Sequence, residues 1–186
     1  LLTELLRYAG ERSGDVSKLR LGDALEARLE KLSAHARMLL QLVSVAGRPI
    51  PEETLALASA FDIDLQAALS ELRGGKLVRG VNMRNVRAIE TYHDRIRETV
   101  VASMAPELLT IWHRRLASTL EASGSKDLEA LAEHLLGAGE RTRAGLYALR
   151  AAAQAERAVA FDKAARLYEL AAQHYAETGP ERRELL

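Results

Sequence analysis

The chain of 186 residues has no cysteine, four prolines and an aromatic content of only 4%. Without cysteine it can form no disulfide, no thiolate metal site and no cysteine nucleophile. Its 26 basic residues balance its 26 acidic residues, which excludes a global electrostatic attraction to nucleic acid or to an anionic membrane but allows a local patch. No apolar run approaches the roughly 20 residues that span a bilayer. We therefore expect no membrane partner and no thiol chemistry.

Alanine and leucine dominate the residues that are present. Together they number 64, and hydrophobic residues make up 48% of the chain, which is too many for a disordered protein. This mixture favours a mainly α protein with closely packed helices. The chain opens Leu1-Leu2-Thr3-Glu4, with no initiator Met and no signal-peptide pattern. We expect it to be a piece of a longer cytoplasmic protein, with residues 1–20 forming the end of a preceding domain and a linker.

Residues 21–104 follow the pattern of three helices, a β-hairpin and a closing helix. The predicted helices are 24–32 with 34–46, then 51–61, 65–74 and 94–104, and the predicted strands are 77–80 and 86–92, with 82–85 as the hairpin tip. In helix 34–46 the only polar stripe is Arg37, Gln41, Ser44 and Arg48, so this helix is predicted to lie at the centre of its domain. Helices followed by a hairpin are typical of a winged-helix domain.

Residues 105–186 contain no strand pattern and read as successive helices. The last predicted helix, 161–175, has alanines at 164 and 171 and aromatic residues at 161 and 168. We expect Phe161 and Tyr168 to help this helix nest against its neighbour. The spacing resembles the second half of a tetratricopeptide motif. The region is therefore predicted to be a tetratricopeptide-like array that binds protein partners.

No catalytic motif is present in the sequence. Gly74-Gly75-Lys76 lacks both the upstream glycine and the following hydroxyl of a phosphate-binding loop, and no Gly-x-Ser-x-Gly nucleophile elbow occurs. The five histidines are His35, His93, His113, His134 and His174. None belongs to a metal-binding spacing, and all except His93 are predicted to be surface or half-buried residues. We predict no catalytic residue, no metal site and no enzyme activity.

A run of cationic residues lies at the end of the third helix and on the hairpin. It consists of Arg73, Lys76, Arg79, Arg84 and Arg87, with no acidic residue between the first and the last. In a DNA-binding winged helix these surfaces contact the groove and the backbone. The alternatives are a cationic face that pairs with an acidic partner domain and a solvated edge that resists strand addition. The run is thus a candidate patch for nucleic acid or for a protein partner.

The segment Tyr92-His93-Asp94-Arg95-Ile96-Arg97-Glu98 is the sharpest local feature. It joins a predicted strand to a predicted helix, and Asp94 supplies negative charge at the positive end of that helix. Arg95 and Glu98 are spaced to pair across one helical turn. His93 at this junction can donate a hydrogen bond to an anion such as phosphate. The competing interpretation is a structural histidine that caps the junction.

Several segments together resemble bacterial signal-transduction ATPases of the STAND class. The similar segments are 23–29 and 36–49, the Tyr92–Glu98 segment, and 131–139 with 151–153, so that the resemblance covers about residues 20–175. In that class the order is a P-loop ATPase, a lid, a winged helix and then repeats. The winged helix there usually packs on the ATPase and does not bind DNA.

The resemblance implies a role for His93. Related plant and animal receptors carry a Met-His-Asp motif whose His contacts the β-phosphate of bound ADP and holds the closed state. By resemblance, His93 takes that role and Asp94 is its structural companion, with Tyr92 in the place of the Met. ATP or ADP would be the cofactor of the full-length protein, with none held by this fragment alone. An upstream ATPase domain would then be one of its partners.

Three functions remain open on the sequence alone. The first is a non-catalytic regulatory and protein-interaction fragment of a signal-transduction ATPase, coupling nucleotide state to partner binding. The second is a winged-helix, DNA-binding transcription regulator with a helical effector region. The third is a free-standing repeat adaptor that binds a peptide on its concave face.

Overall fold

The computed structural model of the protein describes residues 28–59, 64–83 and 86–175. They are mainly helical with a small three-stranded antiparallel sheet, so the predicted mainly α class is confirmed. Within those ranges no helix has both the length and the apolar character needed to cross a membrane. The described residues form two compact units, one of residues 28–49 and 64–103 and one of residues 50–59 and 104–175. The predicted lid end and linker, 1–20, lie outside the described residues.

The elements follow one another with short connections. In chain order they are α1 (Ala34–Ala46), β1 (Ile50–Pro51), α2 (Glu52–Ser59), α3 (Leu65–Gly74), β2 (Val78–Met83), β3 (Val86–Thr91), α4 (Asp94–Ala102), α5 (Pro106–Ala122), α6 (Leu128–Gly137), α7 (Arg141–Arg157) and α8 (Phe161–Tyr175). The strands lie in the sheet in the order β1-β3-β2. Of the helix predicted over 24–32, residues 28–30 are helical and 24–27 are outside the described residues.

Helix α1 is the central element of the first unit. The side chain of Ser33 caps its first turn by accepting a hydrogen bond from the Ala36 amide, and Gly47 ends it with φ of +67°. Its apolar residues are buried on most sides, as predicted, and they pack against α3, α4 and β3. Ser44 corrects one expectation, because it is fully buried rather than part of a polar stripe. Its hydroxyl is buried without a hydrogen-bond partner, which costs free energy.

A carboxylate on α3 fixes the start of α1. Glu71 accepts hydrogen bonds from the Ser33 hydroxyl at 2.6 Å and from the Ser33 amide at 2.9 Å. These two bonds, the hydroxyl's first, lower the pKa of Glu71. Helix α3 itself begins at Asp64, whose carboxylate accepts from the Ala67 amide. The two Glu71–Ser33 bonds therefore tie the start of α1 to α3.

The hairpin of the first unit is longer than predicted. Strand β2 pairs antiparallel with β3 from Val78 opposite Thr91 to Met83 opposite Val86. Asn82 and Met83 thus lie in the strand, not in the tip that the sequence predicted. The polar residue Asn82 interrupts the apolar pattern that indicates a strand. The hydrogen bonds between β2 and β3 nevertheless continue beyond this residue. Beyond the hairpin, α4 ends at Ala102, two residues before the predicted end.

The second unit is built from helices that pack each against the next, α5 on α6, α6 on α7 and α7 on α8, with α2 on α5. Small residues fill the contacts between the last three helices. The buried set there includes Ala132, Ala144, Ala148, Ala151, Ala152, Ala155, Ala164 and Ala171. Alanine at such positions lets helix axes approach closely. No strand occurs in the described residues after Thr91, as predicted.

The aromatic residues of α8 contradict the prediction made for them. Phe161 is 64% exposed and Tyr168 is 39% exposed, while Ala164 and Ala171 are buried as expected. Leu167 supplies the large apolar contact instead, because it is buried among Ala151, Ala152 and Ala155. The hydroxyl of Tyr168 donates to the Glu156 carboxylate at 2.9 Å. The periodicity identified the helix, but Leu167, and not Phe161 or Tyr168, is the large side chain that it buries.

Candidate functional site

His93 lies at the junction between β3 and α4. The strand ends at Thr91, and His93 is the extended residue before the helix, with φ of −145° and ψ of +148°. Its side chain does not cap the helix, and it is exposed to solvent. Its carbonyl accepts from the Ile96 amide at 3.0 Å, which fixes the backbone of the junction. The imidazole is therefore carried on a well-held backbone with its side chain pointing outward.

A cleft of about 330 Å³ opens beside His93 within the first unit. Its walls come from the turn after α1, from the hairpin and from the first turn of α4. The lining residues are Val43, Gly47, Arg48, Pro49, Arg79, Glu90, Thr91, Tyr92, His93, Asp94 and Arg97. This volume lies at the lower end of the range of small-molecule pockets. The cleft can therefore admit a small ligand or the charged end of a larger one.

Cationic groups outnumber acidic groups in the cleft. Arg48, Arg79 and Arg97 line it together with two carboxylates, Glu90 and Asp94. Guanidinium groups present several N–H donors in a planar fork that matches phosphate or carboxylate geometry. With a neutral His93 the lining carries one net positive charge. The cleft is thus electrostatically suited to an anion.

Neighbouring side chains position His93 from the strand side. The ring of Tyr92 meets that of His93 edge to face, with the ring centroids 4.8 Å apart. The Arg79 guanidinium lies 5.9 Å from the centroid of the Tyr92 ring and pairs with Glu90 across the hairpin at 2.7 Å. Contacts of these kinds each contribute roughly 0.5–1 kcal/mol. The chain of contacts from Glu90 to His93 restricts where the imidazole can lie.

The first turn of α4 agrees with what the sequence predicted. Asp94 is the first residue of the helix, where its negative charge meets the positive helix end. Ile96 and Val100 are buried and anchor the helix to the core. Arg95 and Glu98 form the predicted pair, with nitrogen and oxygen 3.9 Å apart. Both are more than half exposed, so this pair adds little stability.

The described residues of the candidate cationic patch do not all lie on one face of the hairpin. Arg73, Lys76, Arg79 and Arg87 are exposed, and Arg84 lies outside the described residues. The hairpin register pairs Arg79 with Glu90 and Arg87 with Asn82, which puts the two arginines on opposite faces of the hairpin. Only Arg79 lines the cleft with His93. The run along the sequence therefore does not become one continuous surface.

Two arginines of the cleft escaped the sequence reasoning. The sequence pattern predicts Arg48 as part of the polar stripe of α1 and indicates no role for Arg97. Arg97 stands four residues after His93, close to one helical turn from it, and that spacing was the available signal. No comparable signal linked Arg48 to His93, since they are 45 positions apart.

The described residues hold no group of three or more His, Asp or Glu side chains that could bind a metal ion. A second histidine feature does appear in the helical unit, where the Nδ1 atoms of His113 and His134 lie 3.1 Å apart. His134 is only 3% exposed, so the expectation that it lies at the surface or half-buried was wrong. Comparisons of the chain with protein-family models, with curated proteins and with solved structures find no match.

Proposed function

We propose that the protein is a non-catalytic regulatory and protein-interaction fragment of a signal-transduction ATPase. In this proposal residues 21–104 contribute a winged-helix domain that reads the nucleotide state of an upstream ATPase. The second unit contributes tetratricopeptide-like helices that bind a protein partner. The site residues are His93, which donates to the phosphate of ADP, and Asp94, which supports the junction.

The order of elements supports the winged-helix assignment. Helix, strand, two helices and a two-stranded hairpin follow one another from α1 to β3, and the strand order is β1-β3-β2. A helix pair followed by a hairpin wing is the arrangement expected of that domain. Successive packed helices from α5 to α8, with alanine-filled contacts, support the repeat assignment.

The cleft beside His93 is the observation that carries the proposal. Three guanidinium groups and an exposed imidazole surround a space of about 330 Å³, and this donor set fits a diphosphate. The nucleotide would supply two negatively charged phosphates at the mouth of the cleft. Arg48 and Arg97 would balance that charge, and His93 would add a directed hydrogen bond from a fixed strand–helix junction.

Such a contact would make the first unit sensitive to the nucleotide. If His93 donates to ADP and loses its partner when the nucleotide is exchanged, two arrangements of the unit differ in energy by that contact. A partner that binds the helical unit in one arrangement shifts the same equilibrium. The winged-helix domain then acts as a rigid element between nucleotide and partner.

The decisive variant is His93→Ala in the longer protein that carries the ATPase. A hydrogen bond to a charged group is worth about 1.5–3 kcal/mol, so we expect ADP to dissociate about tenfold or more faster. Release of a fluorescent ADP analogue measures this rate. His35→Ala is the matched control, since His35 is an exposed histidine on α1. An unchanged rate in the His93 variant would contradict the proposal.

A second candidate function is DNA binding by the winged helix, favoured by exposed Arg73, Lys76 and Arg87. Fluorescence anisotropy with a duplex at low salt separates the two. A salt-dependent rise in anisotropy that weakens with Arg87→Ala would favour DNA binding. No rise at low salt would leave the regulatory fragment as the better account.

A further inference from the structure

Helices α5 and α6 meet through a pair of histidines. His113 is half-buried on α5, and His134 is buried on α6. Their Nδ1 atoms are 3.1 Å apart, and their ring planes are inclined by 51°. This separation is a hydrogen-bond distance between two ring nitrogens. The two side chains therefore contact each other directly across the helix interface.

Gly137 provides the space for the His113 ring. A Cβ atom at this position would lie 2.5 Å from the ring, closer than two carbon atoms can approach. Gly137 lies three residues after His134, on the same side of α6. The His113 imidazole therefore packs against α6 at His134 and Gly137.

The hydrogen bond between the two rings limits the number of protons that the pair can hold. One Nδ1 must carry a hydrogen and the other must offer a lone pair, so at least one imidazole is neutral. When both rings are protonated, each Nδ1 carries a hydrogen and no acceptor remains. Two positive charges then face each other at a distance where they repel. The interface can accept a second proton only if the rings separate.

Charged groups on the elements around the pair form ion pairs with one another. The titratable and charged groups on the elements around the pair, among the side chains that the structure describes, are Glu52 and Glu53 of α2, Glu107, Arg114, Arg115 and Glu121 of α5, Glu129 and Glu133 of α6, Glu140 of the following turn, Arg141, Arg143, Tyr147, Arg150, Glu156 and Arg157 of α7, and Asp162, Lys163, Arg166, Tyr168, Glu169 and His174 of α8. Several of these groups form ion pairs with one another. Arg143 pairs with both Glu121 and Glu140, Arg114 pairs with Glu140, and Lys163 pairs with Glu129.

We propose that the His113–His134 pair is a proton-sensitive joint that holds α5 on α6 at neutral pH and releases it when the pair takes up a second proton. Burial also lowers the pKa of His113 below its ordinary value of 6.5, which favours the neutral ring. The joint belongs to the helical unit alone. It is thus independent of the function proposed for the His93 cleft.

The chain contains its own reporter for this joint. Trp112 is the single tryptophan, it precedes His113 on α5, and it is only 4% exposed. Its fluorescence therefore follows the environment of α5 without any label. Urea unfolding monitored at Trp112 between about pH 8 and pH 5 measures how the free energy of unfolding of the helical unit depends on pH.

The expected sign follows from proton linkage. The unfolded chain binds protons at an ordinary histidine pKa, while the folded pair resists the second proton. Because the pKa of His113 is lowered, the stability that this residue contributes is complete above about pH 6.5 and is lost as the pH falls through that lowered pKa. We expect the unfolding equilibrium constant to rise by about tenfold for each pH unit over that interval.

Asparagine variants test the pair without removing its hydrogen bond. In His134→Asn the amide oxygen can accept from a protonated His113, so we expect the acid loss of stability to become smaller, with the part that comes from the burial of His113 remaining. His113→Asn gives the reciprocal test. His35→Asn, on an exposed site, and His174→Asn, on α8, are the controls and should keep the wild-type pH dependence. Unchanged pH dependence in both pair variants would overturn the proposal, as would its loss in His174→Asn alone.

A measurement on the wild-type chain keeps the proposal testable if the variants fail to fold. Nitrogen-15 resonances of the five histidine rings can be followed through the same pH range. We expect two rings to titrate together, below pH 6.5, with a first proton shared between them. Five independent titrations near the ordinary pKa would overturn the proposal.

Discussion

The first and second units fill their interiors with side chains of different size. The first packs leucine, isoleucine and valine around α1, including Leu39, Leu40, Leu69, Leu72 and Ile89. The second relies on alanine between α6, α7 and α8. Small side chains at a helix contact let the helix axes approach closely. The two interiors therefore differ in the size of the side chains that fill them.

Truncating a large core residue should have the greatest effect, and it tests the leucine side of the comparison. Leu69 on α3 is fully buried. We expect Leu69→Ala to destabilise the first unit by about 2–5 kcal/mol, through lost burial and a residual cavity. Hydrogen exchange of α3 peptides measures it. The exposed Leu57 is the control, and equal effects of Leu57→Ala and Leu69→Ala would contradict a leucine-based core.

Enlarging a small core residue tests the alanine side. Ala148 on α7 is fully buried and packs against Ala132 and Ala171. We expect Ala148→Leu to cost about 1–3 kcal/mol, because the added carbons force the helices apart. Urea unfolding at Trp112 measures the loss. Ala165→Leu, on an exposed position of α8, should be close to neutral, and a neutral Ala148→Leu would show that the helices have room to spare.

The smallest expected effect compares turns within the second unit. The turns after α5, α6 and α7 repeat one hydrogen-bond pattern, with a left-handed residue at Gly124, Gly139 and Val159. A β-branched residue is strained in that conformation. We expect Val159→Gly to stabilise the unit by up to about 1 kcal/mol, and Gly139→Ala to destabilise it by about 1 kcal/mol. Thermal unfolding followed by circular dichroism measures both, and changes of the same sign would contradict this account.

Local patterns predicted the elements better than they predicted the contacts. Helix α1 has the predicted bounds, because a serine cap, a continuous apolar face and a terminal glycine all agree. Phe161 and Tyr168 are exposed, although the pattern predicts that they pack against the neighbouring helix. The hydrophobic periodicity alone does not identify the face that a neighbouring helix covers. His134 was misplaced for a related reason: its partner His113 is 21 residues away on another helix. Arg48 joined the cleft through tertiary packing that no spacing reveals.

The central claim is that the His93 cleft meets a nucleotide and reports its state. Hydrogen exchange of the first turn of α4, in the longer protein that carries the ATPase, tests this directly. We predict slower exchange of the peptide that spans Asp94–Ala102 with ADP than with ATP, and no such difference in the His93→Ala variant. Identical exchange with both nucleotides in the wild-type protein would contradict the account.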